Sequence, residues 1–301
     1  MGNYSSKPED LIDTRNNISN STIRVMSYNV EWGFLKLPSN VIYDACKNLI
    51  PHTSEAQKNH LKLVGKNIGL LSPDICFLQE IGSKDALDYI CEQIQLMFNI
   101  KYSCYYSKNN EVGYQGVGVL LINPDTFTIE NIPNFPLDRA IGIYMKNNST
   151  YPVIVGVHLK SLYDNKSKDD IKEQIKQLES VKTWINDRDA IVCGDFNNTI
   201  DSEPIKLMND SGFTDLLNTD KYVPNITLDN STEFYRNESN KLIGSKIDYI
   251  FASKNIVPYN ISSHIVNLHR EIKKENSTNI YRSENSDHLP VITIISNNFT
   301  N

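Results

Sequence analysis

Cysteine is scarce in this 301-residue sequence, and none of Cys46, Cys76, Cys91, Cys104 and Cys193 stands at the close paired spacing of a thiolate metal site. Cys76 and Cys193 sit inside apolar runs, where a thiol packs as a small hydrophobe, so the set reads as free thiols in a reducing compartment. Long hydrophobic runs are missing as well, and no stretch could span a bilayer, which excludes a transmembrane segment. The N-terminus lacks the basic-then-apolar pattern of a signal peptide, so an intracellular protein of the cytoplasm or nucleus is expected. Positive charge is short: 30 Lys and Arg against 36 Asp and Glu leave a formal net charge of -6. That excludes tight, sequence-indifferent duplex binding through a generally basic surface. It does not exclude an enzyme that visits a polyanion briefly, with its cations held locally or supplied by a metal ion. No internal repeat is visible.

What the sequence does have is core. Hydrophobic residues make up 40% and charged residues 22%, and apolar segments recur from Ile23 to the C-terminus. Residues 1–22 are polar, rich in Asn and Ser, and read as a flexible tail; residues 23–297 read as one domain. Seven β-branched or aromatic runs look like buried strands: Ile23 to Val30, Asp74 to Glu80, Gly116 to Ile122, Pro152 to Leu159, Ala190 to Phe196, Lys246 to Ala252 and Pro290 to Ile295. Between them, Ser54 to Leu71, Ser83 to Phe98 and Ser167 to Asn186 carry apolar residues at helical spacing, and each opens with a Ser suited to cap a helix. The Asn-rich stretches 218–244 and 273–285 read as surface loops. Strands buried on both faces, with helices interspersed, predict sheets packed on one another and covered by helices.

Polar residues gather at the ends of these strands. Asn29 and Glu31 follow the first run, Gln79 and Glu80 the second, His158 and Lys160 a third, and Asp195 and Asn197 a fourth. Asp248 interrupts a fifth, and Asp287 and His288 precede the last. Taken singly, each has an ordinary reading: Asn29 in a turn, Glu80 at a helix N-terminus, either histidine as a packed or surface residue. Burying a carboxylate beside apolar strands costs several kcal/mol unless it is paired or bound to a cation, so the six occurrences together ask for one explanation. Converging at one end of the sheets, they would form an oxygen-rich, thiolate-free pocket suited to Mg²⁺ or Mn²⁺ rather than zinc. Such an ion polarises a phosphoryl oxygen, and an imidazole oriented by a carboxylate handles protons.

Seven segments, RVMSYNVEW, DICFLQE, GVGVLL, VIVGVHLKS, AIVCGDFNNT, KIDYIFAS and SDHLPV, occur in this order from Arg24 to Val291. The series resembles the motifs of the endonuclease/exonuclease/phosphatase superfamily, which includes deoxyribonuclease I, abasic-site endonucleases, deadenylases, neutral sphingomyelinases and inositol polyphosphate 5-phosphatases. The resemblance implies an α/β fold, a four-layered sandwich of two central mixed β-sheets flanked by helices, and a phosphoric ester hydrolase. By position, Glu80 resembles the principal Mg²⁺ ligand, with Asn29 beside it and Asp287 bound through water. Asp195 and Asn197 resemble the pair that orients the attacking water and the scissile phosphate. His288, aligned by Asp248, resembles the histidine that contacts the phosphate and moves protons, and His158 the one that stabilises the transition state. Arg139 resembles a phosphate-binding arginine, and Lys160 is a second substrate-binding candidate. Glu31 reads as a structural or peripheral residue.

The chain also departs from the family's patterns. Asn198 stands where many relatives carry an acidic residue, and no basic residue follows Gln79 and Glu80 as it does in abasic-site endonucleases, which also tend to lack a histidine at the place of His158. The loop before KIDYIFAS lacks the aromatic and basic pattern of a 5-phosphatase. The expectation is therefore a Mg²⁺-dependent nuclease acting on a DNA or RNA backbone. A phospholipid, in the manner of a sphingomyelinase, or another small phosphate ester is the competing substrate class. MGNYSSK fits the pattern for myristoylation at Gly2, which would add a weak membrane contact.

Overall fold

An apolar run that does not alternate needs cover on both faces, and the segments read as buried strands find it. The computed structural model describes residues 21–35, 54–107, 115–162, 168–219, 231–236, 242–266, 274–275, 278–279 and 286–299. Gly2 with its lipidation pattern, nearly all of the expected tail, Cys46 and the capping candidate Ser167 lie outside the described residues. In chain order the first strands are β1 (Thr22–Gly33), β2 (Ile75–Ile81), β3 (Ser103–Tyr106), β4 (Gly116–Leu121), β5 (Phe127–Asn131), β6 (Ala140–Met145), β7 (Val153–His158) and β8 (Ala190–Asp195). There follow β9 (Phe213–Asp215), β10 (Glu233–Arg236), β11 (Leu242–Ser245), β12 (Asp248–Ser253), β13 (Asn260–Ile265), β14 (Lys274–Glu275), β15 (Thr278–Asn279) and β16 (Val291–Ser296). The helices are α1 (Ser54–Leu71), α2 (Lys84–Phe98), α3 (Lys168–Ile185) and α4 (Glu203–Asp210).

Two six-stranded mixed sheets result, in the orders β13-β16-β1-β2-β4-β3 and β5-β6-β7-β8-β12-β9. Each holds one parallel pair, β1 with β2 and β7 with β8, among antiparallel neighbours. Successive side chains on a strand point to opposite faces, and this sets the layers. Val25, Phe77 and Val119 of the first sheet pack against Ile143, Ile154, Cys193 and Ile250 of the second. On the outer face of the first sheet, Met26, Leu78 and Leu120 meet Leu61 and Ile68 of α1 and Leu87 and Ile90 of α2. Val155, Val192 and Phe251 of the second sheet face Leu178 and Val181 of α3 and Ile205 and Met208 of α4. The order helices, sheet, sheet, helices is the expected four-layered sandwich. Each fully buried Leu, Ile or Phe contributes about 1.5–3 kcal/mol through burial.

Contact between the sheets is close enough to dictate a glycine. A Cβ on Gly156 of β7 would lie 2.0 Å from the Phe77 ring, which reaches across from β2. At its N-terminus, α2 is capped as its sequence predicts: Ser83 accepts a hydrogen bond from the Ala86 N–H at 3.2 Å. Asn99 closes the other end in the left-handed conformation, its N–H bonded to the Gln95 carbonyl.

Several parts of the fold depart from the sequence reading. Strand β13 and helix α4 fall where neither was expected. The stretches read as surface loops also contain the β10–β11 hairpin and the two-residue β14–β15 ladder, and β10 begins at a residue that meets His288.

Candidate active site

The polar residues converge because of how the strands run. Asn29 and Glu80 lie toward the ends of the parallel pair β1 and β2, and His158 and Asp195 are partnered at the ends of the parallel pair β7 and β8. Strand β12 runs the other way, so its first residue, Asp248, stands opposite Asp195. His288 lies in the turn leading to antiparallel β16. All of these positions share one edge of the sandwich.

Asn29 joins the two sheets. Its Nδ2 donates to Glu80 Oε1 at 3.2 Å and to Asp195 Oδ2 at 3.0 Å, while its Oδ1 accepts from the Glu31 N–H at 3.0 Å. The turn reading of Asn29 and its role as a bridge are thus both realised. Glu80 Oε2 accepts from the Trp32 N–H at 3.0 Å and from Gln115 Nε2 at 2.7 Å. Asp195 Oδ1 accepts from the Asn197 N–H at 2.8 Å, and Asn197 Nδ2 donates to the Leu159 carbonyl at 3.0 Å. Around these carboxylates the backbone is left-handed at non-glycine residues: φ is 47° at Glu31, 58° at Trp32, 62° at Glu80 and 51° at Asn197. Such conformations persist where the surroundings over-determine them, and they cluster at functional sites.

His288 Nδ1 is 2.8 Å from Asp248 Oδ2, and its Nε2 is 3.9 Å from Asp195 Oδ2 and 3.8 Å from Asp287 Oδ1. Two hydroxyls support this dyad. Thr232 Oγ1 accepts from the Ile247 and Asp248 N–H groups, and Ser286 Oγ accepts from the His288 N–H while donating to the Asn29 carbonyl. His158 Nε2 stands 3.7 Å from Asp195 Oδ2.

Burial divides the two histidines. It pushes His158 well down, helped by the Arg139 charge, so this imidazole is neutral at neutral pH. It also pulls His288 down, but the Asp248 charge and hydrogen bond outweigh it and hold His288 well above its ordinary value. Glu80 is raised by burial and then by the Asp287 charge, and Asp195 is raised well above the usual carboxylate range by burial.

The sequence pattern of the Endonuclease/Exonuclease/phosphatase family matches residues 26–288, a span that contains every residue of this cluster. The chain belongs to that family. It is accordingly a phosphoric ester hydrolase. No curated protein sequence matches the chain. Among solved structures it is similar to D. rerio TDP2 in complex with single-strand DNA product, with 17% identity, a TM-score of 0.55, and coverage of 91% of this chain and 98% of that one. It is likewise similar to the 3' phosphatase NExo from Neisseria bound to product DNA hairpin, with 17% identity, a TM-score of 0.56, and 90% and 98% coverage. An AP endonuclease from Archaeoglobus fulgidus aligns at 15% identity with a TM-score of 0.56, covering 91% and 99%. At these identities the likeness is one of fold.

Within this family member, Asn29, Glu80, His158, Asp195, Asn197, Asp248, Asp287 and His288 form one connected cluster. Arg139 lies at its margin: its Nε donates to the Gln115 carbonyl at 3.0 Å and its own carbonyl accepts from the His158 N–H. Lys160 stands further out, 2.5 Å from Asp170, and lines a cleft of about 620 Å³ together with Arg139, Leu137 and Gln177. Glu31 plays a structural part beside the cluster: its N–H donates to Asn29 Oδ1 and its Oε2 accepts from the Asp287 N–H at 3.0 Å. Asn198, at the family's acidic position, is buried and donates to Gln174 Oε1 at 2.7 Å. Since Gln174 also donates to the Lys160 carbonyl, an amide pair couples α3 to the HLK segment.

Two further residues belong to this family site. Gln115, just ahead of β4, holds Glu80. Glu233 pairs through its backbone with His288; burial pushes its carboxyl up to about 7, partly offset by the His288 charge. Thr232 to Tyr235 ahead of KIDYIF offered a short strand signal for it, while Gln115 had none.

Proposed function

We propose that this chain is a divalent-metal-dependent phosphodiesterase that hydrolyses the nucleic-acid backbone, with residues 23–297 acting as one domain. The observation that carries the reading is the single network joining Glu80, Asn29, Asp195, His158, Asp248 and His288. Mg²⁺, with Mn²⁺ as the alternative, fits the donor set. Glu80 and Asp287 offer only oxygens, and burial, with the Asp287 charge added to it, raises Glu80. Glu80 would hold the ion with Asn29 beside it, Asp287 would reach it through water, and the Asn29 amide ties Glu80 to Asp195. When bound, the ion supplies positive charge to the scissile phosphate and to the departing oxygen.

The chain's own groups perform the rest. Asp195, held by the amides of Asn29 and Asn197, receives a proton from the attacking water. Asn197 orients the phosphate. His288 presents its Nε2–H to a phosphate oxygen while Asp248 holds Nδ1, and neutral His158 donates to the same developing charge. Arg139 and Lys160 hold the neighbouring phosphates. Nucleic acid as substrate is supported by the DNA products seen with TDP2 and NExo and by Arg139 at the margin of the cluster.

The test compares a duplex oligonucleotide, a single-stranded RNA and sphingomyelin at equal enzyme and Mg²⁺. Turnover of at least one nucleic acid should exceed that of the lipid by an order of magnitude or more. The reverse order would assign the site to phospholipid.

A further inference from the structure

A second cleft, of about 510 Å³, is lined by Asn197 and Glu233 together with Ser161, Thr199, Asp201 and Ser202. It meets the Arg139–Lys160 cleft at Ser161, which lines both. The first cleft sets Arg139 and Lys160 among Asp169, Asp170 and Glu173, whereas this one has no cation among its described lining residues and places Glu233 and Asp201 among hydroxyls and an amide.

Glu233 is fixed at the reacting end of this cleft. Its backbone pairs with His288, and the next bond along the ladder runs from the Leu289 N–H to the Thr232 carbonyl at 2.7 Å. The preceding residue, Thr232, supplies the hydroxyl that supports Asp248. An oxygen of Glu233, one of Asp287 and a ring nitrogen of His288 all lie within 4.8 Å of one another. A group bound at Asn197 and His288 therefore extends toward this carboxylate. Ser202, also in the lining, has a buried Oγ with no hydrogen-bond partner among the described residues, although the residue precedes α4, where a serine usually caps.

We infer that this cleft receives a group attached to the scissile phosphate, and that Glu233 selects there for a hydroxyl- or amino-bearing group and against a further phosphate. The inference rests on the diesterase reading of the adjoining site. A carboxylate accepts hydrogen bonds from hydroxyl and amino groups, and the cleft offers the carboxylates of Glu233 and Asp201. A second phosphate placed there would instead face like charge in a half-enclosed space, where repulsion is poorly screened. The substrate class this implies has its scissile diester next to a free sugar hydroxyl or base amino group.

The experiment uses a dinucleoside monophosphate with free 5' and 3' hydroxyls and its two singly phosphorylated forms, with bis(p-nitrophenyl) phosphate as a diester without such groups. The wild-type kcat/KM should be at least about tenfold lower for one of the phosphorylated forms than for the hydroxyl form. Glu233→Gln keeps an acceptor of the same shape without the charge, and should narrow that ratio to less than about threefold; Glu233→Lys should abolish or invert it. Equal turnover of the three dinucleotides by the wild type overturns the inference, as does a ratio unchanged in Glu233→Gln. Hydrolysis of the chromogenic diester without hydrolysis of any dinucleotide overturns it as well. Failure on every diester instead sinks the diesterase reading beneath it.

Discussion

The carboxylate of Asp248 and the imidazole of His288 meet in a single hydrogen bond of 2.8 Å, with both residues buried, at 1% and 5% exposure. Removing the ring from this dyad should lower kcat by about 10²- to 10⁴-fold, the range for losing a proton-transfer or transition-state group. His288→Ala tests this on any hydrolysed diester, with circular dichroism to verify the fold. Asp248→Asn should act in the same direction by releasing the ring from its orientation. A folded His288→Ala protein with near-wild-type kcat would remove His288 from the mechanism.

Chelation should separate activity from fold. EDTA should abolish hydrolysis, and Mg²⁺ or Mn²⁺ should restore it. An ion bound only by the folded state stabilises it by about 2.7 kcal/mol at a hundredfold excess over Kd, so Mg²⁺ should raise Tm by several degrees. Glu80→Gln should lose both the activity and the Mg²⁺-dependent rise. Its metal-free Tm should change little, because losing a charge that burial and Asp287 disfavour offsets an amide NH2 that must face the donor of Asn29 or those of Trp32 and Gln115. Undiminished turnover in EDTA would rule out the metal.

The glycine under Phe77 gives a packing prediction. A methyl group at Gly156 would overlap the ring, and Gly156→Ala should cost about 1–3 kcal/mol by forcing the two sheets apart. Urea denaturation measures the loss. Phe77→Leu in the same chain should recover part of it, since a smaller side chain vacates the contested space. Two independent, additive losses would show that the ring is not the obstacle.

His264 should make stability depend on pH at a distance from the cluster. Burial, assisted by the Arg24 charge, pushes it down to about 4 from its ordinary 6.5. The unfolded chain therefore takes up a proton that the folded chain refuses. Stability is full above the ordinary value and falls as the pH drops toward the folded one, by about 3 kcal/mol. His264→Gln should flatten this part of the profile when urea midpoints are compared at about pH 7.5 and about pH 4.5. An unchanged difference between the two pH values would contradict the assignment.

The strands that build the site were legible because each pairs an unbroken apolar run with a polar end, as in AIVCGD or IRVMSYN. Ser83 announced its helix through local chemistry. Strand β13 gave no such signal: Asn260, Ser263 and Thr293 are buried in mutual hydrogen bonds, so polar side chains occupy places where a hydrophobic pattern would have appeared. Glu233 and Gln115 escaped for a different reason. Each is brought to the cluster by long-range contacts, Glu233 through its pairing with His288 and Gln115 through Glu80 and Arg139, and beyond the short strand signal at Thr232 to Tyr235 these leave no mark on the neighbours in sequence.

The hydroxyl of Ser286 holds the carbonyl of Asn29 across 257 positions of chain, and Glu31 holds Asp287 across 256. Closing a loop that long contributes nothing until both ends have arrived. A chain still emerging from the ribosome can therefore complete its first parallel pair and both outer helices of that sheet without possessing a working site. If Asp287 and His288 act as proposed, hydrolytic capacity arises only when the last strand docks, and a partly made copy is harmless to the phosphate esters around it.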